Sequence, residues 1–144
     1  MDVTSNVTSD SPHSYLIDYS KDDFEWIRLP DYIPRSDFAC GHVKADDGQR
    51  YIVVAGGNND TVQMLSLENP VEWIQGPAIP VATYQSAEFQ FQDTFLVTGG
   101  YNSYRRDSVY EFRSDLQWHL RKSLKNGRDS HVIFPIPDEW ANCY

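Results

Sequence analysis

A double glycine closes an apolar, β-branched run twice in this chain: Tyr51-Ile52-Val53-Val54-Ala55-Gly56-Gly57 and Thr94-Phe95-Leu96-Val97-Thr98-Gly99-Gly100. Gly99 follows Gly56 by 43 residues. Tryptophan recurs nearly in step, at Trp26, Trp73 and Trp118, with intervals of 47 and 45. Self-similarity of this length marks units that cannot bury their apolar faces alone and must stack on neighbours. A proline-containing segment follows each of the first two tryptophans, Leu29-Pro30 and Gly76-Pro77-Ala78-Ile79-Pro80. Arg35 and Arg128 open the segments after the first and third, with Tyr84 at the corresponding place after the second.

Each unit reads as four short strands. The first spans 37–43 or 85–91, and a polar turn follows, Ala45-Asp46-Asp47-Gly48 or Phe91-Gln92-Asp93. The second is the run that ends in Gly-Gly. Its near-continuous hydrophobicity predicts cover on both faces, as when sheets stack. The third, 61–67 or 108–112, alternates better, and the fourth, 71–75 or 117–121, carries the tryptophan. No stretch holds a helical period. A glycine pair at a strand end suits backbone that takes positive φ or touches a neighbour where a Cβ would clash. A tryptophan on every fourth strand supplies a large apolar plate between diverging outer strands.

The pattern resembles the kelch repeat, whose tandem copies build β-propellers. Gly56, Gly57, Gly99 and Gly100 match its double-glycine signature, and Trp73 and Trp118 its tryptophan. Tyr110 before Trp118, and the segment 15–18 before Trp26, match its third and fourth strands. The resemblance covers about residues 14–136 and implies an all-β fold: a kelch-type propeller segment of about three blades of four-stranded antiparallel sheet, its ring incomplete. It divides the chain into a polar N-terminus (1–13), the third and fourth strands of a partial blade (14–35), two whole blades (36–80 and 81–122), and a first strand with a tail (123–144). Propellers take 4–8 blades. Two blade faces should therefore be bare, carrying residues such as Ile52, Val54, Phe95 and Val97, and apolar faces of that size point to a missing partner. The expectation is the C-terminal part of a larger propeller, or else a ring of two or more copies. The tail after Phe134 reads as a chain end. Propellers of this kind often close by lending a strand between termini, and 15–29 and 131–136 are the pieces available for that.

Composition narrows the function. The 144 residues carry 12 Lys and Arg against 21 Asp and Glu, a net charge of −9. That argues against a partner recognised through a phosphate backbone, hence no nucleic acid, and against an anionic lipid surface. No apolar run nears the about 20 residues of a spanning helix, so no membrane insertion is expected. Residues 1–12 lack the basic flank and apolar core of a signal peptide, so cytoplasmic placement is favoured, with export the alternative if chain precedes Met1. Asn6-Val7-Thr8 and Asn59-Asp60-Thr61 fit the glycosylation pattern and matter only in that case. Cys40 and Cys143 are too few for a zinc site or a disulfide scaffold, and whether they pair stays open.

No catalytic motif is present. His13, His42, His119 and His131 lack metal-ligand spacing, and Asp22-Asp23 and Asp46-Asp47 sit in turns that their backbone bonding explains. Neither metal nor cofactor is expected. The kelch family has an enzymatic branch resembling galactose oxidase, with copper held by Tyr and His and a Tyr–Cys cross-link; no such set surrounds Cys40, so an enzyme of that kind is a remote alternative. In propellers the loops joining second to third strands, and blade to blade, crowd onto one face. Here these contain Arg35, Asn58, Asn59, Tyr101, Tyr104, Arg105, Arg106 and Arg128, with Arg35 and Arg128 suited also to stitching loops by bonding backbone carbonyls. Two tyrosines and two arginines within Tyr101–Arg106, on an acidic chain, have the composition of a binding hot spot. The reading is a non-enzymatic protein-interaction module, a scaffold or adaptor with a protein partner. The resemblance also allows a secreted or cell-surface propeller that binds glycans. Cullin-ligase receptors of this family carry a BTB domain, which this chain lacks.

Overall fold

A computed structural model of the chain describes residues 11–18, 22, 23 and 25–135. There is no helix among them. The strands are β1 (Tyr15–Asp18), β2 (Glu25–Arg28), β3 (Ala39–Lys44), β4 (Arg50–Ala55), β5 (Val62–Ser66), β6 (Ile74–Gly76), β7 (Ala87–Phe91), β8 (Thr94–Thr98), β9 (Tyr101–Asn102), β10 (Tyr104–Arg105), β11 (Val109–Phe112) and β12 (Trp118–Leu120). All pair antiparallel. Sheet I runs β3-β4-β5-β6 and sheet II runs β7-β8-β11-β12, while β1–β2 and β9–β10 are two-stranded ribbons. None of the sheets closes on itself.

The two four-stranded sheets are one design repeated. Ile52 pairs with Leu65 in sheet I as Phe95 pairs with Phe112 in sheet II. Sheet II lays Phe95, Val97 and Phe112 on the face of sheet I that carries Ala39, Gly41, Val43, Val53, Val62 and Met64. Gly41 admits no side chain here, since a Cβ would lie 2.5 Å from Cγ of Phe95. Phe95 and Phe112 are fully buried, each contributing about 2–3 kcal/mol by leaving water. Trp118 closes the cluster, its ring 4.8 Å from that of Phe112 and 5.7 Å from that of Phe95.

Both glycine pairs take positive φ, 72° and 86° at Gly56 and Gly57, 62° and 93° at Gly99 and Gly100. The reason is a hydrogen bond that repeats from unit to unit: Gly57 N–H donates to the Thr83 carbonyl at 3.1 Å, and Gly100 N–H to the Arg128 carbonyl at 2.8 Å. A Cβ on Gly99 would fall 2.4 Å from that same Arg128 oxygen. A left-handed residue precedes each first-strand segment, Asp37 (φ 53°), Gln85 (φ 57°) and Ser130 (φ 49°). Counting back two from each aligns Arg35 with Thr83 and Arg128. Tyr84, expected at that place, stands one residue further on.

Three other expectations change. Phe95 (0% exposed) and Val97 (3%) lie between the sheets, not on a bare face, because the near-continuous apolar run hides which side of a strand meets the neighbour. Val54 is buried too, and Ile52 half-buried, under Trp73, Tyr32 and the segment before β3. The face left open belongs to sheet II and carries Phe89, Phe91 and Leu96; Phe91 is 51% exposed. The expected strand at 131–136 is absent over the described residues 131–135, where no neighbouring strand offers an edge to pair with. The fourth strand of sheet I starts at Ile74 instead of Val71, since Pro70 and an exposed Val71 precede it.

Candidate interaction face

Antiparallel meanders send alternate connections to opposite ends. The links β4–β5, β8–β11, β6–β7 and the segments before β3 and after β12 therefore share one end. Backbone bonds confirm the gathering: Ile79 N–H to Asp60 O at 3.0 Å, and Arg128 N–H to Arg106 O at 2.9 Å.

The β9–β10 ribbon lies on that end, within the link from β8 to β11. Its two-residue strands fold at Ser103, whose φ of 64° makes the tight reversal. Tyr84 and Tyr101 exchange two backbone hydrogen bonds, 3.2 and 2.9 Å, and their rings lie 5.5 Å apart. Asn102 fastens the ribbon by donating to Ala82 O at 2.7 Å. Tyr104 is 60% exposed and lies beneath the guanidinium of Arg106, 3.8 Å from its ring centroid. Arg106 also bonds the Tyr104 hydroxyl, and reaches Asn102 O at 3.3 Å. Arg105 points outward, paired with Asp129 at 2.6 Å. The ribbon thus offers two aromatic plates, one stacked arginine and one exposed arginine held by a carboxylate that a stronger acidic ligand could displace.

The remaining predicted site residues divide. Arg128 is exposed on the same end. Asn58 is exposed, but Asn59 is half-buried and its Oδ1 accepts from Thr61 N at 3.0 Å, so it shapes the turn. Asn6 lies outside the described residues, as does Cys143. Arg35 leaves the docking set: it is 2% exposed, and its guanidinium donates to Thr61 O at 2.8 Å, Thr61 Oγ1 at 3.0 Å, Gln63 Oε1 at 3.1 Å and Gly56 O at 3.3 Å. Burial lowers its pKa from the ordinary value. Arg35 therefore fastens the entry segment of sheet I to its second and third strands. Tyr84, expected in the loops of this face but not among the candidate docking residues, joins its ring to Tyr101, and Asp129, which holds Arg105, went unread in the sequence.

The other titratable groups show structural duties. His131 is held by Thr98: His131 Nε2 and Thr98 Oγ1 share a hydrogen bond of 2.9 Å, and Thr98 Oγ1 also lies 3.3 Å from Ala87 O. Burial, then the charge of Arg128, lowers the pKa of His131. Cys40 keeps some exposure, yet burial of its thiol, then Glu88, raises the thiol pKa, the opposite of an activated nucleophile. Asp47 accepts from Gln49 N at 2.9 Å in its turn. Among the described residues no three His, Cys, Asp or Glu side chains gather as a metal site. No helix there is long and apolar enough to cross a membrane.

The protein is thus an all-β chain of repeated antiparallel four-stranded sheets with a loop-built face at one end. Among solved structures it is similar to YjhT, with a TM-score of 0.61 at 15% sequence identity, over 83% of this chain. It spans about half of that protein, 47% of its chain, and at such identity the likeness concerns the fold alone. No protein-family model matches, and no curated protein does.

Proposed function

We propose that the chain is a segment of a kelch-type β-propeller, with sheets I and II as adjacent blades, and that it acts as a non-enzymatic protein-interaction module. The repeated strand order, the Gly-Gly bonds that recur between units and the fold likeness support the first part. The β9–β10 ribbon carries the second. Exposed tyrosine and arginine, braced by backbone bonds on a shared end, are the residue types that dominate binding energy at interfaces, and a rigid ribbon loses little entropy when it docks. Arginine forks select planar oxyanions, so the fitting partner is a peptide segment bearing carboxylate or phosphate groups.

The test is to pan an acidic and phosphorylated peptide library on the purified chain and measure the best ligand by fluorescence anisotropy. Replacing both Arg105 and Arg106 with Ala weakens binding about 10-fold or more, the loss of one hot-spot contact or its equal. Thermal melting stays within a few degrees of the parent. An unchanged affinity overturns the assignment of this face. Saccharides bound in preference to peptides, in a manner that depends on Tyr101 and Tyr104, would replace the protein partner with a glycan.

A further inference from the structure

Two indole hydrogen bonds set a rule across the repeats. Trp73 Nε1 donates to Pro30 O at 2.7 Å and Trp118 Nε1 to Pro77 O at 3.0 Å. Each acceptor stands four residues after the tryptophan of the preceding unit, Trp26 for Pro30 and Trp73 for Pro77. Extended in both directions, the rule leaves one donor and one acceptor over. The donor is Trp26, which is 66% exposed and whose indole meets no acceptor among the described residues. The acceptor is the carbonyl of Lys122, four residues after Trp118, which takes no backbone bond from the described residues.

The surfaces around these two ends match the same pattern. In the β1–β2 ribbon Ile17 pairs with Trp26 as Phe112 pairs with Trp118 in sheet II. Phe112 is fully buried, whereas Ile17 is half-buried beside Trp26, with Tyr15 at 51% exposure against it. At the other end, the open face of sheet II corresponds strand for strand to the face of sheet I that Phe95 and Phe112 seal. Where sheet I presents Gly41 and Val43, sheet II presents Phe89 and Phe91. The face that needs an occupant is therefore larger in volume, and the ribbon that could fill it is smaller, with Ile17 where the other unit has Phe112. Bulk gained on one side is offset by bulk lost on the other.

We propose that the β1–β2 ribbon and the open face of sheet II are the two halves of one head-to-tail contact, that its occupant is a second copy of this chain, and that two copies close on each other. Trp26 of one copy then donates to Lys122 O of the other, and Ile17 and Tyr15 cover Phe89 and Phe91, the latter 51% exposed. The extent of the fold likeness fits two copies: one copy matches 47% of the YjhT chain, so two supply elements for nearly all of a fold of that size. The contact uses neither Tyr104 nor Arg105, so it stands or falls apart from the docking face.

Sedimentation velocity and light scattering of the full chain at 10–100 µM, concentrations of about the range where a modest interface is populated, read the outcome directly. The expected mass is twice the 16.6 kDa of one chain. Trp26→Ser and Phe91→Asp lie on separate surfaces, are both exposed, and each raises the dissociation constant at least about 10-fold, one lost hot spot. Near-UV circular dichroism of each variant checks that the sheets persist. Mixing the two variants restores dimers, because a closed head-to-tail pair of unlike variants retains one wild-type contact. A single-chain mass at every concentration overturns the proposal, as does a dimer that neither substitution weakens. A ladder of ever larger assemblies overturns closure at two.

Discussion

Replacing Arg35 with Ala is the sharpest test of how the units are held. The guanidinium is buried and donates three good hydrogen bonds, of 2.8, 3.0 and 3.1 Å, to Thr61 and Gln63, with weaker contacts to Gly56 O and to Ile33 O at 3.4 Å. Truncation removes donors from acceptors that have few others: Thr61 O keeps only the 3.3 Å bond from Gly56 N–H, while Gln63 Oε1 keeps Ile33 N–H at 2.8 Å. Hydrogen bonds from a charged donor contribute about 1.5–3 kcal/mol, and the emptied volume adds a cavity term. Together these come to about 4 kcal/mol, a large part of the about 5–15 kcal/mol that stabilises a domain. With a urea slope of about 2 kcal/mol per molar, the unfolding midpoint falls by about 2 M. Arg105→Ala is the internal control. Its pair with Asp129 has the arginine 69% exposed, so the loss is under about 1 kcal/mol and the midpoint moves less than about 0.5 M. Arg35→Lys falls between, because one ammonium cannot span acceptors on both strands. Urea titrations followed by tryptophan fluorescence give all three values. A shift for Arg35→Ala no larger than that for Arg105→Ala would refute the view of Arg35 as an internal fastener.

Other substitutions probe separate links. Gly99→Ala drives a Cβ to 2.4 Å from the Arg128 oxygen at φ 62° and lowers the melting temperature by well over 5 °C, whereas Gly48→Ala, with φ 89° but nothing within 4 Å, loses only the about 1–2 kcal/mol of left-handed strain; equal losses would contradict the close-approach account. Phe95→Ala opens a cavity between the sheets and costs about 3–5 kcal/mol in urea unfolding, and a loss below 1 kcal/mol would mean the sheets are not packed through that ring. His131 adds a pH dependence. Its folded pKa lies below the ordinary 6.5, so its contribution is complete above pH 6.5, declines as pH falls and the unfolded chain takes up the proton first, and levels off below the folded pKa. Melting between pH 7.5 and 5.5 should therefore slope for the parent and flatten for His131→Gln; parallel slopes would count against it.

Most strands are legible in the sequence because each is a short apolar or alternating run with a turn beside it, and the glycine pairs fix where the second strands end. Faces are less legible. In Thr94–Thr98 every position but the ends is apolar, so the sequence does not say that Phe95 and Val97 meet sheet I while Leu96 looks the other way. The register of the entry segments is hidden for a different reason. The span from tryptophan to left-handed residue is 11 for Trp26–Asp37 but 12 for Trp73–Gln85 and Trp118–Ser130, and only the backbone angle identifies Thr83 as the counterpart of Arg35. Arg35 reads two ways in the sequence, as a docking residue or as a stitch to backbone carbonyls, and only the fold shows the second, with the guanidinium buried among the oxygens of Gly56, Thr61 and Gln63. On the candidate face the Tyr-Arg composition of 101–106 was visible, but the β9–β10 ribbon was not, since two-residue strands leave no periodicity to detect. The pairing of Tyr84 with Tyr101 and the place of Asp129 beside Arg105 come only through folding.

The two recurring hydrogen bonds point the same way along the chain. Gly57 leans on Thr83, and Gly100 on Arg128; the carbonyl of Pro30 is capped by Trp73, and that of Pro77 by Trp118. Through these two bonds each unit is finished by its successor. Clipping the stretch that follows β12 strips Gly100 of its acceptor and should loosen β8 and the ribbon beyond it, whereas trimming the other terminus through Pro30 takes the acceptor from the Trp73 indole and buried Leu29 from beside Ile52 and Val54.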